Sequence, residues 1–311
     1  MFRSRFALPE IRSAVEGAAG PTTGWEPLAE GENSQVFAAV AGTGPVVVRV
    51  SKRREGFAVD ERASLMLAGS GVRVPEFHGI GPIGDGWWCL TGRLPGTRLC
   101  DLPMDRITAA APAVADTLER LHAVDVSGTT GYGGVDPATG DGRHTAWADW
   151  IGRVPREWPD IESTEDRKLL EALAEQVHAA AASLPPVRAL VHGDYSANNL
   201  VLDEDGTVGV LDLERAMLGD PLWDAAYQLY WGGAWPPMAP QARAAAAGLD
   251  DTADHRNRLR CYMTAAGLAG AAVYMFGGRH DEVHLMARRL APLLDAPPSL
   301  ADLDGYWLAP G

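Results

Sequence analysis

The stretch LVHGDYSANNLVLDEDGTVGVLDL, residues 190–213, contains the most informative spacing in the chain. Asn199 lies five residues after Asp194, and a short hairpin then returns along a strand to Asp212. We expect this hairpin to bring Asp212 beside Asn199, so that a carboxylate and an amide oxygen can converge on a metal. Oxygen ligands of this kind suit Mg²⁺, which takes few ligands from a protein and others from phosphates.

Phosphoryl transfer requires a metal clamp, a group that orients or deprotonates the nucleophile, and cations on the phosphates. Residues 190–213 supply the first two, because Asp194 precedes the hairpin and can face an acceptor hydroxyl. An isolated aspartate in a turn more often caps backbone N–H groups. The combined spacing of Asp194, Asn199 and Asp212 favours the catalytic interpretation.

The pattern HGDxxxxN, followed by a hairpin and a second aspartate, resembles the aminoglycoside phosphotransferase family, whose members are relatives of the protein kinases. Further matching segments are EGENSQVF (30–37), VVVRV (46–50) and TAWADWI (145–151). The resemblance implies that Asp194 is the catalytic base and that Asn199 and Asp212 are the Mg²⁺ ligands. It also implies that His192 braces the loop, a role that we assign to Asp224 as well.

The resemblance places a phosphate-binding cation in strand 46–50. Kinase-like folds have a lysine there that pairs with a helix glutamate, whereas this chain has Arg49. Arginine keeps the charge and can bind phosphate with two N–H groups. Lys52 is a weaker alternative, beyond the expected end of the strand. The expected carboxylate partner of Arg49 is Glu61, with Asp60 as the alternative.

Two further segments are expected to contact the nucleotide. The turn at residues 30–35, which includes Ser34, can lay backbone N–H groups against phosphates, although an ordinary hairpin turn explains it equally well. Backbone groups of Leu90, Gly92 and Leu94, at the edge leading into a hinge, are expected to meet the nucleobase. ATP is the default phosphate donor, and GTP remains open.

The remaining pattern indicates an α+β chain with two lobes, and the resemblance implies a protein-kinase-like fold. Residues 1–93 are expected to form a small nucleotide-binding lobe with an antiparallel sheet and one helix at about 59–68. Residues 94–311 are expected to form a larger, mostly helical lobe with the catalytic loop (HGDYSANN, residues 192–199) and the acceptor pocket. Asp220 precedes Pro221 and is well placed to cap the next helix.

Composition excludes several kinds of partner. The net charge is −14, and the only lysines are Lys52 and Lys168, which disfavours nucleic acid and anionic membranes as partners and suits a cationic substrate. The three cysteines are too scattered for a disulfide framework. With no recognisable signal peptide or membrane span, we expect a soluble, cytoplasmic protein without an obligate protein partner.

The resemblance implies an Mg²⁺-dependent small-molecule O-phosphotransferase that acts on an antibiotic hydroxyl. The acceptor is expected to be an aminoglycoside such as hygromycin, or a nucleoside antibiotic. The alternatives are a metabolic kinase for choline, homoserine or a sugar, and a non-catalytic nucleotide-binding module. Only residues 213–218 separate Asp212 from the Gly219-Asp220-Pro221 segment, too few for the activation loop of a protein kinase.

Aromatic residues are frequent in the second half and are candidates for the acceptor pocket. Trp147 and Trp150 can stack on sugar rings or cations, but at helical spacing core packing is favoured. Asp149 and Asp160 can bind substrate amines, although ordinary surface charges are the favoured interpretation.

Overall fold

The first third of the chain forms a five-stranded antiparallel sheet. The computed structural model describes residues 6–28 and 34–294. The strands are β1 (Thr23–Pro27), β2 (Gln35–Ala41), β3 (Gly44–Ser51), β4 (Phe77–Ile83) and β5 (Gly86–Gly92). Their spatial order is β1-β2-β3-β5-β4, with antiparallel neighbours throughout. Val46, Val48 and Val50 of β3 are buried on one face, as the two-residue period of a strand requires.

Two helices accompany this sheet. Helix α1 (Leu8–Ala19) buries Ile11 and Val15, and it packs on β4 and β5. Helix α2 (Arg54–Met66) packs on the same two strands and on residues 213–215. The prediction that α2 begins near residue 59 is wrong. Gly56 lowers helix propensity, but its missing side chain leaves room for Glu214, whose Oε2 lies 2.7 Å from where a Cβ would stand.

Helices dominate the rest of the described chain. They are α3 (Met104–His122), α4 (Trp147–Ile151), α5 (Thr164–Ala181), α6 (Leu222–Gly232), α7 (Ala239–Ala247), α8 (Ala253–Phe276) and α9 (His280–Leu290). Helices α5, α6, α8 and α9 surround one hydrophobic core that includes Trp147 and Trp158. Within residues 6–28 and 34–294, no helix is long and apolar enough to cross a membrane.

Two small sheets connect these helices to the catalytic loop. Their strands are β6 (Thr97–Arg98), β7 (Tyr132–Val135), β8 (Gly142–His144), β9 (Ala189–Val191), β10 (Leu200–Leu202), β11 (Val208–Val210) and β12 (Met217–Gly219). One sheet has the order β11-β10-β6 and the other β8-β7-β12-β9. The sequence predicts β9, β10 and β11 but not the others, because strands of two to four residues show little periodicity. The lobe boundary at residue 93 stays a prediction.

Candidate active site

Strands β10 and β11 bring the two predicted metal ligands to one end of a hairpin. Leu200 pairs with Val210, and the Leu211 N–H donates to the Asn199 carbonyl at 2.8 Å. Asp212 therefore comes directly after the residue that pairs with Asn199. The Asn199 Nδ2 donates to the Asp194 carbonyl at 2.9 Å, which turns the amide oxygen away from that carbonyl. Local spacing in the sequence predicted that the hairpin brings Asp212 close to Asn199.

Asp212 has an unusual backbone conformation. Its φ of 59° is left-handed, and it is the one non-glycine residue with positive φ in the described ranges. Aspartate tolerates this conformation better than most residues, and such conformations concentrate at functional sites. The next residue, Leu213, donates its N–H to Asp60 Oδ1 at 3.2 Å. The turn is thereby held against helix α2.

Arg49 lies between two carboxylates. Its Nη1 donates to Asp212 Oδ1 at 3.1 Å, and its Nη2 pairs with Asp60 Oδ2. Burial by itself lowers the pKa of Arg49, but the charges of Asp60 and Asp212 outweigh it and raise the pKa. The expected partner Glu61 is corrected to Asp60, because the rotation of α2 directs Asp60 inward and leaves Glu61 beside a groove with Pro137.

The carboxylates around Arg49 change one another's pKa. Burial raises the pKa of Asp212, Arg49 lowers it, and the nearby Asp60 and Asp194 carboxylates raise it again. Burial and the Asp212 charge also raise the pKa of Glu214, to about 7. Several negative charges therefore share one region with few cations, as in sites that bind a divalent cation.

The donor set fits Mg²⁺. Within residues 6–28 and 34–294, no cluster of three or more His, Cys, Asp and Glu side chains forms a metal cage. Magnesium does not need one, since one or two protein oxygens together with phosphates and water can complete its coordination. The Asp212 carboxylate, with 39% of its side chain exposed, and the amide oxygen of Asn199 are donors of the required kind.

A buried aspartate and two histidines hold the catalytic loop. Asp224 is fully buried, and its two oxygens accept the N–H groups of His192 and Gly193, each at 2.9 Å. His122 Nε2 lies 2.9 Å from the same carboxylate. His192 accepts the Asp194 N–H at Nδ1, at 3.2 Å. The loop carrying Asp194 is thus fixed by α6 and α3.

Gly193 is required at its position by the backbone. Its φ is +81°, and a Cβ there would clash with the carbonyl oxygen of Arg215. His192 completes the closure of the loop, because its Nε2 lies 3.0 Å from the Leu211 carbonyl and donates to it when Nδ1 is the acceptor.

The predicted nucleobase contacts lie at and beyond the end of β5. Leu90 is buried between β3 and β4, and the Gly92 N–H already donates to the Glu76 carbonyl at 2.8 Å. The Gly92 N–H is therefore already paired, and the contact of backbone groups at Leu90, Gly92 and Leu94 with the nucleobase stays a prediction. Leu94 follows the strand, and its side chain packs over Gly209 of β11.

Several other sequence candidates have structural roles. Ser34 is half-buried just before β2, and the predicted phosphate turn at residues 30–33 lies outside the described residues. Lys52 pairs with Asp85 at the surface. Asp149 caps α4 by accepting the Ala146 N–H at 3.1 Å.

Core packing also explains the tryptophans and Asp220. Trp147 is buried, stacks on Trp150 with ring centres 5.0 Å apart, and donates to Tyr262 at 3.0 Å. Asp220 caps α6 at the Leu222 N–H, 3.0 Å away, and accepts the Tyr262 hydroxyl at 2.8 Å. These contacts stabilise the helical core.

One residue near Asp194 was not predicted from the sequence. Tyr227 lies on α6, one turn after Asp224, and is partly buried. Burial raises its pKa well above the usual value, and the Asp194 charge together with a hydrogen bond to that carboxylate raises it further. The three-residue spacing from Asp224 to Tyr227 was the available signal, because it places both side chains on one helix face.

Comparison with known proteins identifies the family of this chain. A family model described as "Phosphotransferase enzyme family" matches residues 24–261. The chain belongs to this phosphotransferase enzyme family. Hygromycin-B 4-O-kinase of Escherichia coli is 30% identical to it over 261 residues, covering 82% of this chain and 76% of the relative. The predicted family is therefore confirmed, and the chain is a phosphotransferase.

Solved structures of phosphotransferases confirm the kinase-like fold. A thermostable mutant of aminoglycoside phosphotransferase APH(4)-Ia, in ternary complex with AMP-PNP and hygromycin B, has a TM-score of 0.84 and 27% identity. The match covers 92% of this chain and 98% of that one. Spectinomycin phosphotransferase APH(9)-Ia has a TM-score of 0.58 at 10% identity, covering 96% of this chain and 98% of that one, and shows the fold alone.

Proposed function

We propose that this phosphotransferase moves the γ-phosphate of ATP or GTP, with Mg²⁺, onto a hydroxyl of an aminoglycoside antibiotic of the hygromycin B type, in the cytoplasm. The observation that carries the proposal is the meeting of Asp194, Asp212 and Arg49 in a chain 30% identical to hygromycin-B 4-O-kinase. The net charge of −14 favours the approach of a polycationic acceptor.

Asp194 is the proposed base. As the acceptor oxygen forms its bond to the γ-phosphorus, its proton passes to the Asp194 carboxylate, and the bond between the γ-phosphorus and the bridging oxygen breaks. The nucleoside diphosphate is the leaving group. The anchored loop fixes Asp194, and Tyr227 beside it keeps its proton because its pKa is raised. Tyr227 can therefore donate a hydrogen bond to Asp194 while the latter is ionised.

Arg49 and the metal are proposed to bind the phosphates. Arg49 contributes its guanidinium, oriented by Asp60 and Asp212. Asn199 and Asp212 would hold Mg²⁺, which when bound neutralises charge on the phosphates. Keeping nucleophile and phosphate in a fixed geometry accounts for much of the acceleration in this class of reaction.

The test is phosphate transfer from ATP and from GTP to hygromycin B in the presence of Mg²⁺, followed by mass spectrometry. We expect a product heavier by one phosphoryl group, and we expect Asp194→Asn to reduce turnover by about 10²- to 10⁴-fold while nucleotide affinity is retained. Transfer to choline, a sugar or a nucleoside instead would reject the aminoglycoside acceptor. Near-normal activity of Asp194→Asn would remove Asp194 as the base.

A further inference from the structure

The outer face of α2 is bound to a turn in the helical part of the protein. Arg62 Nε donates to the Pro137 carbonyl at 3.1 Å, and its Nη2 donates to the Ala138 carbonyl at 2.7 Å. Seven residues earlier, on the same helix face, Glu55 forms an ion pair with Arg143. These two arginines join α2 to the β7–β8 hairpin at two points.

The turn at residues 136–141 is closed by its own hydrogen bonds. The Asp136 N–H donates to the Asp141 carbonyl, and the Gly140 N–H donates to the Asp136 carbonyl, each at 2.8 Å. The Asp136 carboxylate accepts the N–H groups of Ala138 at 2.8 Å and of Thr139 at 3.2 Å. The two carbonyl groups that Arg62 binds are therefore presented from a constrained backbone.

The opposite face of α2 carries Asp60. Two residues along a helix correspond to a rotation of about 200°, so Asp60 points away from the side of Arg62. Asp60 is 3% exposed, pairs with Arg49 and accepts the Leu213 N–H at 3.2 Å. A shift of α2 would move this carboxylate and release both the guanidinium and the turn that follows Asp212.

We propose that Arg62 and the 136–141 turn hold α2 in one position and thereby keep Arg49 oriented for the nucleotide phosphates. Arg62 acts through Asp60, which makes it a positioning residue. The inference rests on the proposed role of Arg49 in nucleotide binding. Arg62 and the 136–141 turn both belong to this chain. Their contact therefore orients Arg49 before the nucleotide binds.

The first experiment measures the affinity of the full chain for Mg²⁺·AMP-PNP by calorimetry. Arg62→Ala is expected to raise Kd roughly tenfold, the scale of a lost hydrogen-bonded charge contact. Arg62→Lys, which keeps the charge but not the forked donor geometry, should fall between Arg62→Ala and wild type. The matched control is Arg156→Ala, which removes the same charge from the exposed ion pair with Glu175 and should leave Kd unchanged.

A second measurement separates positioning from general stabilisation. The KM for ATP should rise in Arg62→Ala more than kcat falls, whereas a merely structural role would lower the active fraction and leave Kd and KM unchanged. In a double-mutant cycle, Arg62→Ala and Asp60→Asn should have less than additive effects on Kd, because one acts through the other.

The outcomes distinguish this inference from the proposed function. Wild-type Kd in Arg62→Ala, or full additivity with Asp60→Asn, would overturn the positioning role even if phosphate transfer is observed. AMP-PNP binding needs no acceptor, so a wild-type protein that binds the nucleotide but phosphorylates no antibiotic would overturn the proposed acceptor alone. A wild-type protein that binds no nucleotide would overturn both.

Discussion

At the scale of single residues, Arg49 departs most from the kinase pattern. A lysine at this position has one nitrogen, whereas the guanidinium of Arg49 contacts Asp60 and Asp212 with different nitrogens and lies 5.2 Å from the centre of the Phe57 ring. The Arg49 side chain thus bridges helix α2 and Asp212, the proposed metal ligand. Arginine and lysine are not equivalent in such a position.

Arg49→Lys is expected to weaken nucleotide binding. The single nitrogen of lysine cannot reproduce the forked geometry with which two guanidinium nitrogens reach Asp60 and Asp212, so the KM for ATP should rise about tenfold and the free energy of unfolding should fall by about 1–3 kcal/mol. Steady-state kinetics and urea denaturation measure the two effects. The control is Arg53→Lys at an exposed neighbouring arginine. A KM equal to that of wild type would show that the bridge is unimportant for the nucleotide.

At the scale of secondary-structure elements, α6 anchors the catalytic loop. Its first turn contributes Asp224, whose oxygens accept the N–H groups of His192 and Gly193. His122 of α3 reaches the same carboxylate. The loop is too irregular to satisfy these backbone groups itself, so a helix end supplies the acceptor.

Asp224→Asn is expected to destabilise the protein by about 2–4 kcal/mol. An amide replaces one acceptor oxygen with a donor, which leaves a buried N–H facing another N–H. Asp160→Asn, at an exposed aspartate, is the matched control. Urea denaturation should show the difference, and a loss below about 0.5 kcal/mol for Asp224→Asn, the usual scale of surface substitutions, would contradict the anchoring role.

At the scale of the whole molecule, the site is assembled from two regions far apart in sequence. Arg49 and Asp60 come from the sheet and its helix, whereas Asp212 and Leu213 follow the catalytic hairpin. A ligand that binds only the folded arrangement stabilises the protein, by about 2.7 kcal/mol at one hundred times its Kd. Nucleotide binding should therefore be visible in global unfolding.

Asp212→Ala should abolish the part of this stabilisation that depends on Mg²⁺. Thermal unfolding with AMP-PNP, with and without Mg²⁺, should show a metal-dependent rise in Tm for wild type but not for the variant. Glu204→Ala, an exposed residue in the same hairpin, should behave as wild type. A metal-dependent rise that survives in Asp212→Ala would mean that the metal is held elsewhere.

The catalytic hairpin was predictable because its geometry is local. The two strands around its turn are short and pair antiparallel, and their register brings Asn199 and Asp212 to the same end of the hairpin. The bracing aspartate, Asp224, lies twelve residues after Asp212 and outside this stretch, and its role was assigned from the resemblance to the family. Spacing and strand period were sufficient for the hairpin, since its contacts join residues close in the chain.

The sequence by itself determined the family, the α+β class and the hairpin that brings Asn199 and Asp212 close together, whereas the catalytic role of Asp194 stays a prediction. Only the tertiary structure decided that Asp60 and not Glu61 pairs with Arg49, and that Arg62 binds a turn 75 residues away. Asp60, Glu61 and Arg62 are consecutive on α2, but their side chains point in different directions because the helix turns by about 100° per residue. Packing against distant segments, such as the contact of Asp60 with Leu213 across 153 residues, sets that rotation, and no local pattern encodes it.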